Sequence, residues 1–193
     1  MSLEKLERLA EAVKSRFAGL EAELFTGFGE KHLGAAVTVH VDPDNLLAVL
    51  TILRDDPGFN FHQMIDLAGV HYPERAKPLE VVYHLLSMRH NHRIRIKVAL
   101  DEGQPIPSII GVWSCADWYE REAFDLFGIL FTGHPDLRRL LNDYDFEGHP
   151  LRKDFPLSGN YELRYSEEQG RIIREPTQLQ RESREYYNAR DER

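Results

Sequence analysis

The sequence predicts an α+β fold in which a mostly antiparallel or mixed sheet is covered by helices and followed by an extended C-terminal arm. Three observations carry that prediction. Apolar side chains recur at helical spacing over the first twenty residues, four later segments alternate or cluster residues as strands do, and beyond Asn142 prolines and glycines break the chain into short pieces. Residues 1–141 are therefore expected to form the α+β domain, and residues 142–193 an extended segment and arm that docks on other chains.

Leu3, Leu6, Leu9, Val13, Phe17 and Leu20 with charges between them predict an amphipathic helix that caps the sheet. After the glycine-bearing stretch Thr26-Gly27-Phe28-Gly29, the alternation Val37, Val39, Val41 predicts a strand. Asp42-Pro43 then supplies an N-cap and an N1 proline for a helix ending near Arg54. Residues 61–70, 79–88 and 93–100 give three more strands, separated by turn formers such as Pro73, Pro78 and Asn91. In the last of these Ile94, Ile96, Val98 and Leu100 fall on one face and Arg93, Arg95 and Lys97 on the other, as in a strand buried on one side. The short Arg89-His90-Asn91-His92 link predicts an antiparallel hairpin.

Ser114 with Asp117 three residues on predicts a capping box, opening a helix that runs to a C′ glycine at Gly128. In the arm, Tyr161, Leu163 and Tyr165 alternate before a polar turn, and Ile172-Ile173 follow, which predicts a small hairpin. Residues 160–193 carry eight acids and seven bases around sparse apolar positions, so this arm is expected to need another surface to order fully.

Composition narrows the function. The 193 residues are 42% hydrophobic and 29% charged, which excludes wholesale disorder and a membrane bundle. A net charge of −8 argues against nucleic acid as a partner. One cysteine, Cys115, excludes an intrachain disulfide, a four-cysteine zinc site and a cluster held by four thiolates of this chain, and points to a reducing compartment. The charged start has no signal-peptide pattern, and the longest apolar run, residues 46–53, is too short for a bilayer of ~30 Å, so membrane association is expected to come through a partner.

The candidate chemistry is sparse. Of the closest histidine group, His84, His90 and His92, the last two sit around a hairpin turn with no carboxylate or cysteine at companion spacing, and solvated turn histidines are the better account of them. Gly27/Gly29 and Gly133 match no nucleotide-binding fingerprint. Cys115 has no dyad partner and is expected to be a small buried hydrophobe. Along the acidic helix, Arg121 stands four residues from both Asp117 and Asp125, so one guanidinium can meet two carboxylates. Glu122, flanked by Tyr119 and Leu126, is placed beside an apolar stripe, where burial demands a partner; a structural ion pair is favoured there over general acid-base catalysis.

The run Glu120-Arg121-Glu122-Ala123-Phe124-Asp125-Leu126-Phe127-Gly128-Ile129-Leu130-Phe131-Thr132-Gly133-His134-Pro135-Asp136-Leu137-Arg138-Arg139-Leu140-Leu141 closely resembles the signature of the 30 kDa subunit family of respiratory complex I. The resemblance continues upstream through residues 66–75 and 80–87, and downstream through Glu147-Gly148-His149-Pro150-Leu151-Arg152-Lys153-Asp154-Phe155-Pro156-Leu157. The chain departs from the family's usual pattern at His71, where an acid is usual, and at Phe146, where tryptophan is frequent.

The resemblance implies a cofactor-free peripheral-arm subunit of a proton-translocating NADH:quinone oxidoreductase. It would pack against the 49 kDa-type subunit of the quinone pocket and the subunit holding the terminal iron-sulfur cluster, at the cytoplasmic face of a bacterial plasma membrane. FMN and the clusters would sit in those and other partner subunits, and this chain would hold no catalytic, cofactor or metal site. Carried over as structural or interface residues are Glu120, Arg121, Glu122, Asp125, His134, Asp136, Arg138, Arg139, His149, Arg152, Lys153 and Asp154. The rival readings are the related module of membrane-bound hydrogenases or similar dehydrogenases, and a free-standing acid-base or metal enzyme built on Glu122, Asp125 and nearby histidines.

The purified chain is expected to be colourless and free of stoichiometric metal. Elemental analysis and a visible spectrum after gel filtration check this, and a tightly bound metal or surviving absorbance would turn the scaffold into a redox subunit.

Overall fold

Alternation across the strands sets the architecture. The computed structural model describes residues 3–25 and 36–177, so the Gly27/Gly29 stretch and the arm beyond residue 177 lie outside the described residues. The first helix, α1 (Leu3–Arg16), buries Leu6, Leu9 and Val13 and is shorter than its apolar repeat suggested. The chain turns at Gly19 and forms a strand, β1 (Glu21–Phe25), that the sequence reading missed. Strands β2 (Ala36–His40), β3 (Gln63–His71), β4 (Leu79–Ser87) and β5 (His92–Leu100) follow the predicted positions.

The sheet order is β1-β2-β5-β4-β3. All neighbours are antiparallel except β2 and β5, which run parallel, so the sheet is mixed, as predicted. Register places Val37, Val39, Tyr83, Leu85, Ile94, Ile96, Val98 and Leu100 on one face, and all are buried. The opposite face carries Arg95, Lys97 and His84, which are half-buried. α1, α2 (Leu46–Asp55) and α3 (Ala116–Phe127) cover the apolar face and join it in one continuous core. A short parallel pair, β6 (Ile106–Pro107) and β7 (Phe131–Thr132), brackets α3.

Two caps differ from expectation. Asp42 precedes a 3-10 turn, Pro43–Asn45, rather than α2 itself, and its side chain makes no capping bond. The capping box at Ser114 does not form: Cys115 occupies the N-cap with helical φ and ψ, because turns from Ile109 onward wind directly into α3 and leave no extended residue for a cap. Cys115 is exposed, not buried, since its neighbour Ala116 takes the core position.

The predicted hairpins are present. Asn91 takes φ of 53° in the β4–β5 link, and the arm contains β8 (Tyr161–Ser166) paired antiparallel with β9 (Arg171–Pro176). Gly69 on β3 is required by close approach, because a Cβ there would lie 2.7 Å from the Phe127 ring.

Gly128 ends α3 with φ of 75°, and its N–H donates to Phe124 O at 2.9 Å. A Cβ at this position would lie 2.6 Å from His149 Nε2 and 3.0 Å from Arg152 Nη2. Gly128→Ala is therefore expected to cost about 1–3 kcal/mol, read by urea unfolding of the full chain.

Candidate functional site

The last turn of a helix leaves carbonyls without partners within it. In α3 each finds one from a later segment. Asp125 O accepts from His149 Nδ1 at 2.9 Å, Leu126 O from Leu151 N at 3.1 Å, and Phe127 O from Arg152 Nε at 2.6 Å. Arg152 also reaches Glu102 at 2.7 Å, which ties this end of α3 to the loop after β5. Cationic or N–H groups at a helix C-terminus also complement its dipole.

Asp125 itself is fully buried and accepts five hydrogen bonds. Oδ1 takes Arg139 Nη1 at 2.8 Å and Asn142 Nδ2 at 2.9 Å; Oδ2 takes the successive backbone amides of Leu140, Leu141 and Asn142 at 3.0, 2.7 and 2.9 Å. Burial alone would push its pKa up, but the Asn142 backbone and side chain, Arg139 and the Leu141 amide outweigh that and hold it well below the usual carboxylate range. Three converging amides form a nest for an anion, here filled by the chain's own carboxylate.

Arg121 does not bridge Asp117 and Asp125 as its spacing suggested. It is buried, and its guanidinium donates to Arg138 O at 3.2 Å and Arg139 O at 3.3 Å. It thereby fixes the backbone that presents the amides to Asp125. Arg139 also donates to Gly148 O at 3.1 Å.

Glu122 is exposed, which corrects its placement on the apolar stripe. The buried carboxylate is Glu120, because the face of α3 that packs on the sheet is centred on Ala116, Glu120 and Ala123. Glu120 Oε1 accepts from Ile109 N at 2.7 Å, whereas Oε2 has no partner among the described residues. Burial raises its pKa against the opposing pull of the Ile109 bond. Tyr83, also fully buried, holds a hydroxyl without a partner among the described residues, and burial and then the nearby Glu120 raise its pKa well above the ordinary tyrosine value.

The His134 side chain is fully buried; its Nε2 donates to Asp117 O at 3.2 Å and its Nδ1 accepts from Asp136 N at 3.0 Å. Asp136 and Arg138 pair on the surface at 2.8 Å. His71 Nδ1 accepts from Lys153 N at 2.9 Å, so the imidazole supplies the acceptor a carboxylate would, with Asp154 at 3.8 Å. Phe146 packs on Phe155 with ring centroids 5.8 Å apart and under the Arg139 guanidinium.

Sequence reasoning missed Asn142, whose two bonds to Asp125 have no local motif, and Glu80, buried on β4 between Lys97 at 2.8 Å and Arg75 at 3.2 Å. Opposite charges at cross-strand positions could have found the second pair. Among the described residues no group of three or more histidine, cysteine or carboxylate side chains could hold a metal ion, and no helix is long and apolar enough to cross a membrane. His90 and His92 stack with centroids 5.8 Å apart, and His90 Nε2 donates to Pro57 O at 3.0 Å. The arrangement is therefore one of surfaces held in place by a buried polar network.

Residues 39–161 match the family described as respiratory-chain NADH dehydrogenase, 30 Kd subunit. The chain is 51% identical over 181 residues to an NADH-quinone oxidoreductase subunit of Methylobacterium sp. (strain 4-46), covering 94% of this chain and 81% of that one. It is 58% identical over 150 residues to the NADH-quinone oxidoreductase subunit of Methylobacterium radiotolerans, covering 78% and 70%. For the Maricaulis maris protein of the same description the figures are 57% over 150 residues, with 78% and 75% covered. A chain in the structure of the membrane-bound sulfane sulfur reductase, an archaeal respiratory membrane complex, shares the fold at a TM-score of 0.64 and 22% identity, covering 78% of this chain and 85% of that one.

The two buried carboxylates of α3 predict opposite pH effects. Asp125 stabilises the fold fully above its unfolded pKa, near 3.9, and loses that contribution as pH falls below it. Asp125→Asn is expected to cost about 3–5 kcal/mol at pH 7, with the gap to the parent closing in acid. Glu120 has the reverse sign: its raised pKa penalises the folded state as pH rises above the unfolded value, so Glu120→Gln gains on the parent from pH 4 to pH 8. Urea midpoints across pH check both, and parallel profiles for the two variants would refute the assignment.

Proposed function

The chain belongs to the 30 kDa subunit family of respiratory-chain NADH dehydrogenase, and from that premise we propose that it serves as a cofactor-free subunit of the peripheral arm of an NADH:quinone oxidoreductase. In this role it performs no electron transfer itself. It docks beside the subunit of the quinone pocket and the one holding the terminal iron-sulfur cluster, and holds them in register while electrons pass from NADH through FMN and clusters to a quinone. It meets the membrane through those partners, on the cytoplasmic side. The observation that carries the reading is the pairing of 51–58% identity to NADH-quinone oxidoreductase subunits with a 141–177 segment that buries no hydrophobic side chain of its own. The same identity favours this complex over a hydrogenase module.

In mechanistic terms the chain works by geometry. The α3 network fixes residues 138–155 against the sheet domain, so that Asp136, Arg138 and the apolar side chains that follow are presented on a rigid support. Surface ion pairs such as Asp136–Arg138 contribute at most about 1 kcal/mol to stability, which leaves them free to re-pair with a neighbour.

A tagged chain drawn from native membranes is expected to bring flavin- and cluster-bearing subunits and NADH-quinone activity with it. Truncation after Gly159 should leave the thermal transition of the isolated chain within a few degrees, because only Ser166 is buried beyond that point among the described residues, while retention in the complex falls. Differential scanning calorimetry and co-purification of the same truncated chain measure the two effects. Unfolding on truncation with undiminished retention would assign the hairpin to the domain's own core.

A further inference from the structure

Residues 141–177 bury no hydrophobic side chain, yet Leu141, Leu157, Leu163 and Ile172 are each exposed by more than 60%. Apolar surface of this kind, held in place by a hydrogen-bond network, marks an interface. Within it lies a cavity of about 330 Å³ walled by Leu141, Phe146, Phe155, Tyr161 and Leu163. Such a recess takes a bulky anchoring side chain, the commonest source of binding energy at an interface.

The rim defines the partner's charge. Asp143 and Glu147 stand at the mouth and carry no ion pair among the described residues; Glu147 accepts only a 3.5 Å bond from the Tyr161 hydroxyl. The single basic side chain there, Arg174, is committed to Asp145 at 2.8 Å and to the Tyr161 ring at 5.4 Å. Over residues 141–177 there are eight carboxylates and five lysine or arginine side chains. Of those bases Arg152, Arg164 and Arg174 are already paired within the chain.

A second copy paired about a two-fold axis would bring the same acidic rim against itself. The segment 178–193 has four acids and four bases and so no net charge to match. Charge complementarity selects a basic occupant.

We propose that this cavity receives an aromatic or aliphatic side chain carried on a lysine- or arginine-rich segment of another subunit of the assembly. The proposal rests on the subunit reading above and names the chemistry of its docking partner.

The test places a photo-crosslinking amino acid at Asn160, exposed at the cavity, in the full-length chain assembled in native membranes. Mass spectrometry then identifies the captured peptide. The expected product is a peptide of a different subunit with a bulky apolar residue flanked by lysine or arginine. Capture of residues 178–193, of a second copy, of an acidic segment, or of nothing in an intact complex overturns the proposal while leaving the subunit reading standing. Failure of the chain to co-purify with any redox subunit overturns both.

As a second arm, Asp143→Lys combined with Glu147→Lys is expected to lower retention in the complex at least threefold, with the melting temperature of the full chain unchanged because both carboxylates are exposed. Glu7→Lys combined with Glu11→Lys, both exposed on α1, serves as the charge-matched control and should leave retention as in the parent. Equal loss in both variants, or loss in neither, removes the charge argument.

Discussion

The free carbonyls at the end of α3 are the constraint around which the second half of the chain is arranged. A helix that stops against a sheet must give its last carbonyls to something other than water, and here they go to Gly128, His149, Leu151 and Arg152. Once 148–152 is committed to that end, the intervening residues 138–142 have little freedom in where they run. Asp125 captures them by three amides and one guanidinium. A segment with almost no apolar burial is thus held by hydrogen bonds to a helix that is itself anchored by burial. That division of labour keeps its apolar side chains free to face outward.

Two carboxylates five residues apart on α3 meet opposite surroundings. Asp125 has a donor for every lone-pair direction in use and is stabilised as an anion despite burial. Glu120, equally buried, has one amide on one oxygen, and the hydroxyl of Tyr83, without a partner among the described residues, lies nearby. Desolvation then wins over hydrogen bonding, because the Ile109 amide and the weaker pull of Ser108 offset only part of the cost of removing a carboxylate from water. Across the sheet, the buried Glu80 carboxylate is paired with Lys97 at 2.8 Å and Arg75 at 3.2 Å.

Much of the sheet was legible because its inner face obeys strict alternation, as in Ile94, Ile96, Val98 and Leu100. β1 was not, since Glu21 to Phe25 offers only Ala22 and Leu24 to set a period, and α1's apolar repeat runs on into it. Glu122 shows the limit on a helix. Adjacent residues differ by about 100° around the axis, so an error of two positions in the centre of the buried face exchanges a core carboxylate for a surface one. Arg121 shows another limit: spacing placed two carboxylates within reach, but nothing local reveals that Asp125 is already filled by amides fifteen or more residues away. Residues such as Arg139, His149 and Arg152 were singled out through family resemblance, while their shared task at the end of α3 emerged only when the chain was folded.

The same contrast bears on what kind of work the molecule does. Chemistry at a bond needs polar groups converging on a space that a substrate can enter. In α3 the polar groups converge on one another: Asp125 fills its own nest, His134 bridges two backbone groups, and Arg121 spends its donors on carbonyls. The surface left open on residues 141–177 carries exposed leucines and tyrosines beside charged side chains, on a segment tied to α3 through Asn142, His149, Leu151 and Arg152. Such a surface gains its energy by being covered. In the role proposed above, the chain's effect on electron transfer runs through the distance and orientation it imposes on its neighbours.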